Sequence, residues 1–173
     1  MLVFQDKSLV PIGHTDSDFQ SDRESRKSTY RYVFIFGGGA ISWRTVKQSS
    51  IDDSTMEVEY IAASKAAKEA VWLKNYLLNL GVVPSAQSAI TLYYDNSGAV
   101  ANTKEPRSHK RGKYIERKYY FFREIVHMSD VKVSHIVSGD NLADPFTKGL
   151  TQRIFDQHVE GMGVRSITSW LGV

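Results

Sequence analysis

The chain contains no cysteine among its 173 residues. That excludes disulfides, thiolate catalysis and cysteine-based zinc sites, and it agrees with a reducing compartment. No apolar run approaches the roughly 18 residues that a membrane span needs, so no membrane partner is expected. Residues Met1 to Lys7 have neither the basic end nor the apolar core of a signal peptide. Gly37, Gly38 and Gly39 are not followed by Gly-Lys-Ser/Thr, so they do not form a phosphate loop. There is no internal repeat and no low-complexity tract. Net charge is only +3, too small by itself to imply a nucleic-acid partner. The length suits one domain with a real core. A hydrophobic fraction of 42% and a charged fraction of 24% are ordinary for a globular protein.

The basic charge that is present is unevenly spread. Between Lys104 and Glu124 eight basic residues stand against three acids, a local excess of five. Tyr114, Tyr119, Tyr120, Phe121 and Phe122 are interleaved with them. Such a segment can pair its cations with phosphates while its aromatics pack. A helix with a solvated basic face and a buried aromatic face would read the same way.

Leu9 to Asp16 reads as a strand, with Val10, Ile12, His14 and Asp16 on one face under a period of two. Ser21 to Thr29 is polar and reads as a loop. Tyr30 to Phe36 is β-branched and aromatic, a second strand. The glycines turn the chain into a third strand, Ala40 to Trp43. From about Thr55 to Leu80, Ala63, Ala66, Ala70, Leu73, Leu77 and Leu80 recur at spacings of three and four, one stripe of a long helix. Gly81 is its natural stop. Val82 to Ser88 reads as a linker and Ile90 to Asp95 as a strand. Asn96 or Ser97 then caps a short helix to about Asn102. A second long helix is expected from Arg111 to about His127, a fifth strand from Val131 to Val137 and a short helix within Asp140 to Leu150. Thr151 to Val173 has mixed apolar residues and no site signal. The order predicts an α/β domain: an antiparallel meander that continues as a βαβ pattern, giving a mixed five-stranded sheet covered by helices.

Four carboxylates stand in short motifs of their own: Asp16 in Gly-His-Thr-Asp-Ser-Asp, Glu59 in Ser-Thr-Met-Glu-Val-Glu-Tyr, Asp95 in Leu-Tyr-Tyr-Asp-Asn-Ser and Asp144 in Asn-Leu-Ala-Asp-Pro. The predicted elements can bring them to one end of the sheet. Clustered carboxylates repel, so such a site needs cations to persist. Hard oxygen ligands suit Mg²⁺ or Mn²⁺, and a pair of such ions is a usual device for phosphodiester cleavage. Glu59 lies four residues before Ala63 on the apolar stripe. Glu57 lies about 200° away around the axis, and Ser54-Thr55-Met56-Glu57 fits a capping box. The pattern assigns Glu59 to the site and Glu57 to the cap, although a slip of the helix start would exchange them. Taken singly, each aspartate has a plainer reading. Asp16 can open a turn, Asp95 can cap the next helix, and Asp144, before Pro145, can be an N-cap.

Joined together, these motifs resemble the RNase H domain of copia-type retrotransposon Pol polyproteins of plants. The resemblance covers about Leu2 to Val164. It is carried by Gly-His-Thr-Asp-Ser-Asp-Phe (13–19), Arg-Lys-Ser-Thr (26–29) and Gly-Gly-Gly-Ala-Ile-Ser-Trp (37–43). Further matches are Ser-Thr-Met-Glu-Val-Glu-Tyr-Ile-Ala (54–62), Ala-Ala-Lys-Glu-Ala-Val-Trp-Leu (66–73), Tyr-Asp-Asn-Ser (94–97) and Leu-Ala-Asp-Pro-Phe-Thr-Lys (142–148). It implies an RNase H-like fold over residues 1–150, with 151–173 a C-terminal tail that is mostly packed or flexible. It also implies catalytic, metal-binding roles for Asp16, Glu59, Asp95 and Asp144, with two Mg²⁺ ions, for which Mn²⁺ can substitute. The implied reaction is endonucleolytic hydrolysis of the RNA strand of an RNA–DNA hybrid during reverse transcription. The implied partners are that hybrid and a reverse transcriptase domain upstream in the same polyprotein. The expected location is a cytoplasmic virus-like particle. RNA is distinguished by its 2′-hydroxyls in a wide minor groove. Ser17, Asn96 and Ser97 are the expected readers, and Lys110, Arg111, Lys113, Arg117 and Lys118 the expected phosphate contacts.

The chain departs from that pattern in places. Arg31 stands where the family usually has Gly, which either perturbs strand pairing or lies on a solvent face. Tyr94 often reads Cys in relatives and Tyr114 often reads His, and neither is expected to touch the four acids. No histidine lies between Ser138 and Leu142, where cellular RNases H carry one in a loop, and His135 reads as structural. The chain opens at Met1 without a reverse transcriptase ahead of it. That leaves open a second reading, a catalytically inactive or truncated transposon-derived fragment that folds and binds hybrid duplex without cleaving it. A third is two-metal chemistry on DNA, as in integrases of related fold.

Overall fold

The computed structural model describes residues 1–4, 9–19, 24, 27–48, 55–81, 83, 87–95, 113–128, 130–146 and 149–166, without the side chains of residues 56, 57 and 113–119. Its strands are β1 (Ile12–Asp18), β2 (Thr29–Phe36), β3 (Gly39–Lys47), β4 (Ile90–Tyr94) and β5 (Val131–His135). Among the described residues the α-helices are α1 (Thr55–Leu80), α2 (Lys113–His127) and α3 (Gln152–Gly161). The strands form one sheet in the order β3-β2-β1-β4-β5. β1–β2 and β2–β3 are antiparallel, whereas β1–β4 and β4–β5 are parallel. The mixed five-stranded sheet is therefore as the sequence predicts. It is an RNase H-like fold, with β1 at its centre.

Gly37 and Gly38 make the hairpin turn between β2 and β3. Both have positive φ, 58° and 78°, which a two-residue hairpin of this hand requires and a glycine supplies without strain.

β2 shows why the sheet is covered on both sides. Tyr30, Tyr32 and Phe34 alternate onto one face, where they join Ala62, Ala63, Ala66, Ala67 and Ala70 of α1 and Phe122 and Ile125 of α2 in the main core. The run of alanines lets α1 lie close to the sheet and to α2 at once. Val33 and Ile35 point to the other face, into a second core with Ala40 and Met162. Ile12, Leu142, Phe146 and Val159 pack against that second core. Val159 and Met162 thus have a physical role: α3 and Met162 cover one face of the sheet, and Ala40 donates its amide to the Met162 carbonyl at 2.9 Å.

Several boundaries differ from those expected. β1 begins at Ile12 and runs past Asp16 to Asp18, and β3 extends to Lys47. β5 stops at His135. The helix expected within Asp140 to Leu150 is instead a pair of 3-10 turns, Ser138–Asp140 and Asp144–Phe146. Leu80, placed on the apolar stripe of α1, is 49% exposed. The Ser54 cap and the helix expected over 96–102 lie outside the described residues, as does the Glu57 side chain.

Gly13 sets how tightly the main core closes on β1. A Cβ at this position would lie 2.5 Å from Phe34 Cε1 and 2.9 Å from Leu92 Cδ1, and both of those residues are fully buried. Gly13→Ala should therefore destabilise the fold by about 1–3 kcal/mol through overpacking. Urea denaturation checks this, and an unchanged midpoint would mean the core yields at no cost.

A candidate metal centre

The strand order fixes where the acids go. β1 and β4 run parallel and side by side, in register up to Thr15 and Tyr94. One residue further along each chain stand Asp16, inside β1, and Asp95, just beyond β4. Their carboxylates therefore emerge at the C-terminal ends of neighbouring parallel strands, where open α/β sheets collect ligands. Asp144 arrives from a different direction, at the start of the second 3-10 turn.

Asn141 brings Asp144 to the strands. It is fully buried, and its amide Nδ2 donates to the Thr15 carbonyl in β1 at 3.1 Å. Its Oδ1 accepts from the Ala143 amide at 3.2 Å, and its own carbonyl accepts from the Asp144 amide at 3.0 Å. One side chain thus grips the strand beside Asp16 and folds the turn that carries Asp144. Next to it, the Leu142 amide donates to His14 Nδ1 at 3.3 Å. Ser138 Oγ donates to Asp95 Oδ2 at 3.1 Å. The positioning residues Ser138 and Asn141 were not singled out from sequence. Both lie in the interval read mainly for its missing histidine.

The result is a group of three carboxylates, Asp16, Asp95 and Asp144, with one oxygen of each within 4.8 Å of the others. Asp16 and Asp144 are buried and Asp95 is half-buried. At an effective dielectric near 20 the repulsion is on the order of a few kcal/mol for each charged pair. Oxygen donors of this number and charge fit a hard divalent cation such as Mg²⁺. Glu59 is half-buried in the second turn of α1 and is not part of the three-carboxylate group. Tyr94 reaches Glu59 from the end of β4. Its hydroxyl donates to the Glu59 carbonyl, and burial, then the nearby Glu59 charge, hold its phenol well above the ordinary tyrosine value. Tyr94, expected to stay clear of the acids, thus reaches the backbone of one of them.

Arg31 also differs from expectation. It pairs with Asp16 on one side and Thr45 on the other without a break in register, and it is half-buried rather than on a solvent face. Ser17, next to Asp16 in β1, points to the opposite face by strand alternation. His135 ends β5 as the register partner of Tyr94, with its side chain exposed. Asn96, Ser97, Lys110 and Arg111 lie outside the described residues, as do the side chains of Lys113, Arg117 and Lys118.

The fold is that of RNase H domains. LC11-RNase H1, isolated from compost by a metagenomic approach, superposes with a TM-score of 0.59 over 88% of this chain and 99% of its own, at 14% identity. A foamy viral protease-reverse transcriptase solved with an RNA/DNA hybrid matches with a TM-score of 0.53 over 84% of this chain and 20% of its own, at 15% identity. No family model matches. In sequence, the homologues of this chain over most of its length include plant retrovirus-related Pol polyproteins from transposons. The polyprotein of transposon TNT 1-94 from Nicotiana tabacum is 38% identical over 165 residues, 95% of this chain. That of transposon RE1 from Arabidopsis thaliana is 31% identical over 154 residues, 89% of this chain. The chain spans only 12% and 10% of those two polyproteins. Among the described residues, no helix is long and apolar enough to cross a membrane.

Two consequences can be measured. Asn141→Ala leaves the Thr15 carbonyl and the Ala143 amide buried without their partner. It should cost roughly 1–3 kcal/mol of stability, read by urea denaturation. The second concerns His14, whose pKa is lowered from 6.5 to about 4, first by burial and then by the charge of His158, against an opposing hydrogen bond to Asn141. Between those two values the unfolded chain holds more protons than the folded one. Stability should therefore fall as pH drops from about 6.5 towards 4, by up to about 3 kcal/mol from this group. A His14→Gln variant should flatten the profile in that window, and an equally steep profile would remove His14 as its cause.

Proposed function

We propose that this domain is a ribonuclease H that hydrolyses the RNA strand of RNA–DNA hybrids during reverse transcription of a copia-type retrotransposon. One observation carries the proposal: Asp16, Asp95 and Asp144 converge at the strand ends of an RNase H fold. The sequence similarity to transposon Pol polyproteins supports the biological setting.

In this reading Asp16, Asp95 and Asp144 hold the divalent cations, and Glu59, from the start of α1, serves as the fourth ligand. When bound, such cations supply positive charge to the attacking water and to the leaving 3′ oxygen of a phosphodiester. The chain's own groups set the frame for this. Asn141 keeps Asp144 against β1, Ser138 orients Asp95, and the buried carboxylates stay poorly hydrated, which strengthens their hold on a cation. No covalent enzyme intermediate is required. Lys110, Arg111, Lys113, Arg117 and Lys118 would bind phosphates of the duplex, while Ser17, Asn96 and Ser97 would read the hybrid. Residues 1–150 would form the nuclease and 151–173 a tail, with a reverse transcriptase domain upstream and a cytoplasmic particle as the setting.

The test is cleavage of a labelled RNA–DNA hybrid by the purified chain with Mg²⁺, with Mn²⁺ and with EDTA. The RNA strand alone should be cut, only with metal. Asp95→Asn should lower the rate by at least roughly 100-fold, since even the outer partners of metal ligands contribute up to that much. Full activity in Asp95→Asn would sink the site assignment. Tight hybrid binding without cleavage in saturating Mg²⁺ would favour the inactive fragment, and equal cutting of DNA–DNA duplex would favour chemistry on DNA.

A further inference from the structure

Arg31 lies directly opposite Asp16 in the antiparallel pairing of β1 with β2. Opposed residues of such a pair project from the same face, with Cβ atoms about 4.5–5.5 Å apart. Asp18 is one diagonal step away on that face, opposite Thr29. The guanidinium is half-buried, and the fields of Asp16 and Asp18 favour its charged form against the cost of burial. Two of its three nitrogens, Nε and Nη1, are buried and meet no hydrogen-bond acceptor among the described residues. An arginine held this way costs desolvation without two of the bonds that usually repay it. What it gains is position: a permanent positive charge beside a group of three carboxylates.

We propose that Arg31 is a resident cation of the carboxylate site. It offsets part of the repulsion among Asp16, Asp95 and Asp144 before any metal arrives, and it thereby lowers the site's affinity for divalent cations. The inference rests on the metal-binding reading given above, but it concerns a residue outside the ligand set. Arg31 is a positioning residue, acting on the acids through its field.

The test uses the whole chain and Mn²⁺ as the probe. Affinity is read by electron paramagnetic resonance, and thermal stability is followed in EDTA. Arg31→Gln should bind Mn²⁺ roughly tenfold more tightly, the scale of one nearby unit charge in partly hydrated surroundings. In EDTA its Tm should fall below that of the unchanged chain, and Mn²⁺ should recover the difference. Arg31→Lys, which keeps the charge, should stay near the unchanged chain in both readings. Should Arg31→Gln not fold, Arg31→Thr carries the same expectation with a residue that favours strands. Unchanged or weaker Mn²⁺ binding in the neutral variants would overturn the proposal, as would a lysine variant that behaves like them. Asp95→Asn separates the two layers. If it weakens Mn²⁺ binding while Arg31→Gln changes nothing, the role of Arg31 alone is lost. If it leaves Mn²⁺ binding intact, the metal-site reading falls and takes this one with it.

Discussion

Three carboxylates with oxygens within 4.8 Å of one another push apart, and much of the surrounding structure resists that push. The resistance has to come from the backbone, because a rotatable side chain would simply swing away. Asp16 is fixed by lying inside a central strand that is paired on both edges. Asp95 is fixed by following β4 at the point where the register with β1 ends. Asp144 has no strand to hold it, so Asn141 joins its turn to the Thr15 carbonyl. Beside that join, the Leu142 amide on His14 Nδ1 and the apolar contacts of Leu142 and Phe146 tie the same turn to the sheet.

Those contacts explain why the second core matters to the site. Val33, Ile35 and Ala40 on the sheet and Met162 after α3 enclose the segment that carries Asp144. The main core, built from Phe34, Leu92 and the alanines of α1, sits on the opposite face and brings Glu59 from the other side. The site therefore lies where two cores meet at one end of a sheet, and each face supplies part of it. Glu59 is not within the group of three aspartates, and Tyr94, which precedes Asp95, donates to its backbone carbonyl.

Much of this was legible in the sequence because local patterns and global packing agree. The period of two in Tyr30 to Phe36, the glycines at 37–39 and the alanine–leucine spacing of α1 each specify an element by themselves. The bounds of α1 follow directly from its stripe and from Gly81. The three aspartates were legible as a set for a different reason: each sits in or next to an element whose direction could be inferred. The clasps were not legible. Asn141 looks like an ordinary loop residue, and its burial depends on a partner in β1, 126 positions away. The same holds for Arg31. Its neighbour Asp16 follows from the register of β1 on β2, which a strand pattern alone does not give. The covering role of α3 was hidden because ten residues of mixed polarity show their apolar side only when the surface they cover is known.

The Asn141 amide, the Ser138 hydroxyl and the backbone amides of the turn, which help to hold the acids in place, are uncharged groups. His14, buried beside them, is also held neutral near pH 7 by its surroundings. A lysine or arginine in their place would hold a carboxylate more firmly, but it would also neutralise the charge that attracts a divalent cation. Neutral donors separate the two tasks, fixing geometry while leaving the negative potential in place. Arg31 is the exception, and its placement fits the same logic. It stands one strand away from Asp16 and acts by field. It therefore limits the repulsion that threatens the fold while leaving most of the negative potential that draws a metal.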